Sequence, residues 1–143
     1  MLACPLTQKR RENMANVTKK LTPVLYVDAI EPCLPLWLDR LGWTKSVEVP
    51  HGDTLGFVIL HKDAAEIMYQ TWSSIDKDVG HPVSRAQGTS VGLFIEVSSI
   101  DDIEAQLQGV AITLPRRRTF YGMDEIGVTE AGGHTVVFAC PTG

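Results

Sequence analysis

An internal repeat is the feature that most constrains the fold of this chain. The sequence Leu-Tyr-Val at residues 25–27, followed three positions later by isoleucine, returns 70 positions on as Ile-Glu-Val at residues 95–97, again followed three positions later by isoleucine. Each half shows the same order of patterns, which is a strand, a helix and then three strands. A unit of this size needs a second copy to cover its sheet. The repeat therefore predicts an α+β fold made of two βαβββ modules.

The predicted elements of the first module are a strand at 21–27, a helix at 30–41 and strands at 43–49, 54–61 and 65–72. Residues 73–89 hold Ser, Asp, Gly, Pro and Gln without periodicity, which indicates a loop or linker. Residues 1–20 are polar and basic and predict a disordered or loosely attached tail. We therefore expect one domain at 21–140, with modules at 21–72 and 90–140.

The second module ends in a predicted hairpin. Its strand at 90–97 and helix at 100–107, with Ser98 or Ser99 as the N-cap, precede a strand at 110–114. Two alternating runs then flank the turn at residues 130–133, where two glycines allow the chain to reverse. Everything upstream is expected to pack against this hairpin.

Composition excludes several classes of protein. The chain has 143 residues, of which 44% are hydrophobic and 21% charged, as in an ordinary soluble domain. A net charge of −4 gives no indication of nucleic-acid binding, and no apolar run approaches the length that spans a membrane. Three cysteines without a CxxC pair argue against a disulfide framework, and the N-terminus lacks the pattern of a secretory signal. We expect a cytoplasmic protein.

Five segments, taken in order, resemble the vicinal oxygen chelate superfamily, which contains glyoxalases, bleomycin-resistance proteins and extradiol dioxygenases. They are LYV at 25–27, LWLDRLGW at 36–43, AEIMYQ at 65–70, the segment 97–103, and the terminal hairpin from YGMDE at 121–125 onward. The resemblance covers about residues 21–140. It implies that the two modules pair into an eight-stranded, U-shaped sheet around a cleft, and that the protein is a homodimer. One departure is TEAGG at 129–133, where the family usually has Asp-Pro-Asp-Gly.

Metal-dependent members of this family hold a divalent ion with His and Glu side chains inside the cleft. Carried over onto this chain, the ligand positions fall on Thr22, Met68, Gly92 and Val137. None of these side chains is a suitable ligand for such an ion. The four histidines of the chain lie at turns, in the linker and at the hairpin. The resemblance therefore implies the metal-free, bleomycin-resistance-like branch, with no metal and no cofactor.

If those four positions mark the cleft face, strand alternation and the family fold supply a set of candidate ligand-binding residues. The set is Tyr26, Met68, Gln70, Trp72, Phe94, Glu96, Arg117 and Tyr121. The alternative is that the same strand residues pack a dry core. Arg117 belongs to the run at 116–118, which either recognises a carboxylate or phosphate or is a solvated loop.

Two acids on the expected cleft face, Glu66 and Glu96, are the catalytic candidates. Buried together, they would repel each other and raise one pKa, which suits a proton-transfer group. They could instead attract a cationic ligand, or reach solvent at a strand end. Glu125, in the hairpin, is interpreted as structural rather than catalytic.

These observations favour a metal-free small-molecule-binding protein that sequesters an aromatic or amphipathic ligand in its cleft. The alternative is a metal-independent isomerase, lyase or epimerase that uses a cleft glutamate as general base. A third possibility is a partner-binding module with a closed, filled cleft. Beyond the small-molecule ligand and a second copy of the chain, no nucleic-acid or membrane partner is expected.

Overall fold

The computed structural model describes residue 16 and residues 18–83 and 91–143. The predicted tail therefore lies mostly outside the described residues. The first module contains β1 (Val24–Val27), a 3₁₀ helix (Glu31–Cys33), a π-helix (Pro35–Arg40), β2 (Thr44–His51), β3 (Thr54–Lys62) and β4 (Ala65–Thr71). Helix α1 (Trp72–Val79) follows. The second module contains β5 (Gly92–Glu96), α2 (Ile100–Gln106), β6 (Leu114–Arg118), β7 (Met123–Thr129) and β8 (Thr135–Pro141).

The strands form two sheets with the same connectivity. Sheet 1 has the order β1-β4-β3-β2 and sheet 2 has the order β5-β8-β7-β6. In each sheet the first strand pairs in parallel with the last, and the other pairs are antiparallel. This confirms the α+β fold of two βαβββ modules. Strand pairing within the described residues gives two separate sheets, so their union into one U-shaped sheet stays a prediction.

The helix predicted at 30–41 is present but irregular. A 3₁₀ helix occupies its first turn and a π-helix follows at Pro35–Arg40, where the Leu41 N–H donates to the carbonyl of Leu36, five residues back. Pro32 and Pro35 have no N–H, and the ring of a proline inside a helix collides with the carbonyl four residues earlier. The prolines therefore prevent a regular α-helix while the apolar stripe still places Trp37 in the core.

Helix α1 lies where the sequence predicts a loop. Its N-cap is Thr71, whose hydroxyl accepts a hydrogen bond from the Ser74 N–H at 3.2 Å, and it ends at Gly80, which has a φ of 82°. The prediction was wrong for this segment because the helix is short and mostly polar, so its signals lie in its caps rather than in a long apolar period. Part of the remaining linker, residues 84–90, lies outside the described residues.

Strand β6 begins where the predicted strand at 110–114 ends. The arginine run is therefore on a strand rather than in a solvated loop. Arg117 lies opposite Glu125 on β7, and Arg118 lies opposite Asp124. Opposite charges on directly paired residues stabilise a sheet, which explains why this charged segment forms a strand.

One hydrophobic core serves both modules. The inner faces of the sheets are buried together with the helices, and the cluster includes Leu25, Trp37, Val58, Tyr69, Ile126, Val128, Val136 and Phe138. The outer faces remain partly open, with Val24, Val47 and Val49 exposed on sheet 1. No helix in the described part of the chain is long and apolar enough to cross a membrane.

Candidate functional site

A groove of about 660 Å³ lies between the two modules. The first module contributes Trp43 and the β3–β4 turn at residues 62–65, and the second contributes the edge of β5 and the beginning of α2. More than half of its lining residues are apolar, among them Trp43 from the first module and Phe94 from β5. A concave, mostly apolar space with a few polar groups is the usual form of a small-molecule site.

Four of the predicted ligand-binding residues belong to the first module. Met68 pairs with Val24 and Gln70 pairs with Tyr26. Tyr26, Met68 and Gln70 therefore lie on the outer face of sheet 1, since the alternate residues of these strands are in the core. Trp72 is the first residue of α1 rather than the end of a strand, but its ring remains 5.0 Å from that of Tyr26. Gln70 is buried and its amide donates to the Ser74 hydroxyl at 3.3 Å. Tyr26, Gln70 and Trp72 thus form one cluster beside Met68.

The other four predicted residues belong to the second module, three of them on strands of sheet 2 and Tyr121 in the turn between β6 and β7. Phe94 and Glu96 lie on β5 and line the groove, and Phe94 is 58% exposed. Arg117 and Tyr121 meet on the carboxylate of Glu125, which accepts two hydrogen bonds from Arg117 at 3.2 and 3.3 Å and one from Tyr121 at 2.6 Å. Of the eight predicted residues, the groove itself contains Phe94 and Glu96.

On the exposed face of sheet 2, Glu125 lies between Glu96 and the pair formed by Arg117 and Tyr121. Its side chain is only 1% exposed, and the strand register places Ala139 between Glu125 and Glu96. The hydrogen bond to Glu125 raises the pKa of the Tyr121 hydroxyl. Arg117 and Tyr121 are therefore held in position by a buried carboxylate, in agreement with a structural interpretation of Glu125.

The two catalytic candidates have different surroundings. Glu66 accepts a hydrogen bond from the Thr22 hydroxyl at 3.1 Å and pairs with Lys20 at 2.8 Å. The hydrogen bond from Lys20 lowers the pKa of the Glu66 carboxyl, which is opposite to the shift expected for a repelling buried pair. Glu66 lies outside the groove, whereas Glu96 is exposed on its wall.

The positions that correspond to metal ligands do not fit a metal. Thr22 donates its hydroxyl proton to Glu66, Met68 offers only a thioether, and Gly92 and Val137 carry no donor. Oxygen and nitrogen donors must converge to hold a hard or borderline divalent ion. Among the described residues, no three His, Cys, Asp or Glu side chains come together in this way.

A buried polar network, which the sequence does not predict, joins the modules. The Tyr69 hydroxyl accepts a hydrogen bond from the Trp37 ring N–H at 3.0 Å and donates to Glu130 at 2.6 Å. Glu130 also pairs with the His134 ring at 2.8 Å and accepts the His134 backbone N–H. The four residues come from the helix and sheet of one module and the terminal turn of the other, so only the tertiary contact brings them together.

Burial and these bonds set the protonation of the network. Burial alone would raise the pKa of the Glu130 carboxyl, but the hydrogen bonds from Tyr69 and His134 lower it below its ordinary value. Burial, together with the nearby Glu130, raises the pKa of the Cys33 thiol to about 12. Cys33 is therefore a neutral, unreactive thiol, and Glu130 is a charged anchor rather than an accessible base.

Comparison with known proteins finds no matching family model and no matching curated protein. Solved structures do match. A glyoxalase/bleomycin resistance protein/dioxygenase from Nocardioides matches with a TM-score of 0.69 and 17% identity, over 95% of this chain and 93% of that one. Lactoylglutathione lyase from Agrobacterium tumefaciens matches with a TM-score of 0.66 and 13% identity, over 87% and 94%.

A third match is a bleomycin-binding protein solved in complex with bleomycin. Its TM-score is 0.60 with 13% identity, over 86% of this chain and 98% of that one. Identities this low establish the fold and leave the activity open. The chain therefore has the fold of the glyoxalase, bleomycin-resistance and dioxygenase proteins, which is the vicinal oxygen chelate fold that the sequence resemblance implies.

Proposed function

We propose that this protein is a cytoplasmic small-molecule-binding protein that holds an aromatic or amphipathic ligand without using a metal. The observation that carries the proposal is the groove between the modules, whose wall combines exposed Phe94 with Trp43 and the Glu96 carboxylate. A solved protein of the same fold holds bleomycin. An open groove of this size also weighs against a closed, filled module.

We further propose that the protein forms a homodimer through the open edges of β1 and β5. The Val97 N–H donates to Ala139 and the Met68 N–H donates to Pro23, so Phe94 and Glu96 on β5, like Val24 and Tyr26 on β1, direct their backbone groups away from their sheets. A partner's β1 alongside β5 would join a sheet 1 to a sheet 2. It would cover the edge of β5, while the side chains of Phe94 and Glu96, which lie on the exposed face of the strand, would stay open to a ligand. That arrangement would complete the U-shaped sheet and unite the two groups of predicted ligand-binding residues.

The dimer is tested by sedimentation over a range of protein concentrations. Val24→Pro removes an outward N–H from β1 without removing a bond of the sheet, so it should shift the protein to monomer. Val24→Thr keeps that N–H and should stay dimeric. A monomeric wild-type protein at every concentration, or a Val24→Pro variant that dimerises equally well, would contradict this assembly.

The binding function is tested by a thermal-shift screen of aromatic antibiotics and small metabolites. A ligand at about a hundred times its Kd should stabilise the fold by about 2.7 kcal/mol. Phe94→Ala should weaken the best ligand about ten-fold or more, since it removes the exposed aromatic wall. Val79→Ala, which shortens an exposed apolar side chain on α1, is the control and should have no effect. A ligand whose affinity ignores Phe94 would place binding elsewhere.

A second candidate is a metal-independent enzyme in which Glu96 removes a proton from a carbon acid. Glu96 favours this candidate because its carboxylate lines an apolar groove, where a general base could reach a bound substrate. Glu66 is a poorer base because it is ion-paired with Lys20. Exchange of a ligand C–H with deuterated water, followed by NMR, tests the idea. Exchange should stop in Glu96→Gln while binding remains, and the absence of exchange in the wild type would leave binding as the function.

A further inference from the structure

The two open strand edges, those of β1 and β5, carry different charges at their ends. Lys19 and Lys20, which we call the basic segment, lie just before β1, and Asp28 directly follows it. Glu96 is the last residue of β5, and Asp102 lies in the first turn of α2. β1 therefore begins at a basic end and finishes at an acidic one, whereas β5 finishes at an acidic end.

Three of these charges have no ion-pair partner in the described part of their own chain. Lys19, Glu96 and Asp102 are exposed, and within residues 18–83 and 91–143 none of them forms a salt bridge. Lys20, in contrast, pairs with Glu66 at 2.8 Å, which holds the basic segment beside the start of β4. Exposed charges without a partner attract a surface of the opposite charge.

These charges distinguish the two directions in which a partner's β1 could lie along β5. In an antiparallel pair, the basic segment of the partner lies beside the end of β5, near Glu96 and Asp102. In a parallel pair, the partner's Asp28 lies there instead and repels both acids. Because like charges that face each other across an interface disfavour that arrangement, the charges favour the antiparallel pair.

The outward backbone groups of the two strands indicate a register. They belong to Val24 and Tyr26 on β1 and to Phe94 and Glu96 on β5. An antiparallel pair uses all of these groups when Val24 lies opposite Glu96. Tyr26 then lies opposite Phe94, and an aromatic pair of this kind stabilises a sheet. Counted along both chains, this register brings the basic segment beside the start of α2.

We propose that the open edge of β5 receives the β1 of a second copy of this chain in the antiparallel direction, and that the basic segment of this partner docks on Glu96 and Asp102. In a two-fold dimer the same contact forms twice, so each charge acts twice. This inference rests on the proposed homodimer and adds its direction, its register and its dependence on salt.

Sedimentation of the full chain measures what the charges contribute to the dimer. Raising sodium chloride from about 0.02 M to about 0.5 M should weaken the dimer about ten-fold, because exposed ion pairs are screened. Asp102→Lys should weaken it by about ten-fold at low salt, since it repels the partner's Lys19. Asp78→Lys makes the same change of charge at an exposed acid on α1, so it is the matched control and should dimerise like the wild type.

A charge swap separates loss of attraction from loss of folding. Lys19→Glu alone should also weaken the dimer about ten-fold. A one-to-one mixture of the Lys19→Glu and Asp102→Lys proteins should dimerise like the wild type, because opposite charges then meet at both contacts of the mixed dimer. Both side chains are exposed, so each variant should keep the thermal stability of the wild type.

Disulfide formation between protomers tests the direction and the register. A chain with Val24→Cys and Glu96→Cys should form a covalent dimer on oxidation, because the Cα atoms of such a pair lie about 5.5 Å apart, within the range of a disulfide. A chain with Val24→Cys and Gly92→Cys is the control and should stay uncrosslinked, because Gly92 lies at the other end of β5.

The outcomes separate this inference from the homodimer on which it rests. A dimer that withstands both salt and the single charge reversals overturns the charged contact and leaves the homodimer standing, and so does a mixture that fails to restore dimerisation. A cross-link through residue 92 in place of residue 96 overturns the antiparallel direction. A protein that stays monomeric at every concentration overturns the homodimer and this inference with it, while the ligand screen still decides the binding function.

Discussion

The buried hydroxyl of Tyr69 contributes more to the free energy of unfolding than a single hydrogen bond on the surface would. It is fully buried between the Trp37 ring N–H and the Glu130 carboxylate, and it bonds to both. Removing the hydroxyl leaves the buried Trp37 N–H and the buried Glu130 carboxylate each without one hydrogen-bond partner. A buried polar group without a hydrogen-bond partner costs more free energy than the hydrogen bond contributes to stability on balance.

Tyr69→Phe should therefore lower the free energy of unfolding by about 1–3 kcal/mol, measured by urea denaturation. Tyr121→Phe is the matched control, because Tyr121 also donates to a glutamate at 2.6 Å but is half exposed. Its effect should be smaller, since Tyr121 is itself half exposed and Glu125 keeps its two hydrogen bonds from Arg117. Equal losses in the two variants would show that burial does not govern the energy of the Tyr69 network.

Glu130 should make the free energy of unfolding depend on pH in the acidic range. Its folded pKa lies below the ordinary value of 4.5, so its stabilising contribution is present above about pH 4.5 and is lost as the pH falls through the folded pKa. Urea denaturation of wild type and Glu130→Gln at several pH values measures it. The wild type should be the more stable protein at neutral pH, and the difference should shrink below about pH 4.5. A difference that is constant with pH would mean that Glu130 is not charged in the fold.

At the scale of elements, the short helix α1 depends on its caps. It has eight residues, none of them fully buried, so packing alone holds it weakly. The Thr71 hydroxyl accepts the Ser74 N–H, and Gly80 supplies the left-handed residue that ends the helix. The helix also carries Trp72, which contacts Tyr26. Loss of helical structure in α1 would therefore disturb the outer face of sheet 1, where Tyr26 lies.

Thr71→Ala should cost about 1 kcal/mol of stability because it removes the N-cap acceptor. Hydrogen exchange of the Ser74 amide should accelerate in this variant, since that N–H loses its partner. Thr71→Ser keeps the hydroxyl and should behave like the wild type apart from a small packing loss. If alanine and serine at this position were equivalent by both measurements, the cap would have no energetic role.

At the scale of the whole molecule, the modules meet closely at the terminal turn. A Cβ on Gly132 would lie 2.6 Å from Cγ1 of Val27 in the first module, and about 3 Å from the Glu130 carboxylate. Val27 is buried, so it has little room to move. The glycine pair of the turn is thus needed for a close approach between modules as well as for the reversal of the chain.

Gly132→Ala should destabilise the protein by about 1–3 kcal/mol through overpacking. Adding Val27→Ala should relieve part of this cost, so the double variant should be more stable than the sum of the single changes predicts. Gly92→Ala is the control, because a Cβ there makes only an ordinary contact at 3.8 Å with the Thr135 carbonyl. Strict additivity of the two changes would contradict a direct contact between Gly132 and Val27.

Much of the fold follows from local patterns. The repeat, the strand alternation and the glycine turn predicted two βαβββ modules and the terminal hairpin, because each depends on neighbours within one module. Local signals were weaker for α1, which is short, and for β6, whose arginines lie opposite Asp124 and Glu125 on the neighbouring strand. Such charges on a neighbouring strand are invisible to a window that moves along the chain.

The sequence by itself determined the two modules and the order of their elements along the chain, since these depend on residue type and spacing. The family resemblance added the four metal-ligand positions, whose side chains are not suitable donors. Only the tertiary structure decided that Glu130 bonds Tyr69, that Glu66 is paired with Lys20, and that the groove contains Phe94 and Glu96. The reason is physical: a groove and a buried ion pair depend on how two modules pack. That packing is set by the sum of many contacts between residues far apart in the chain.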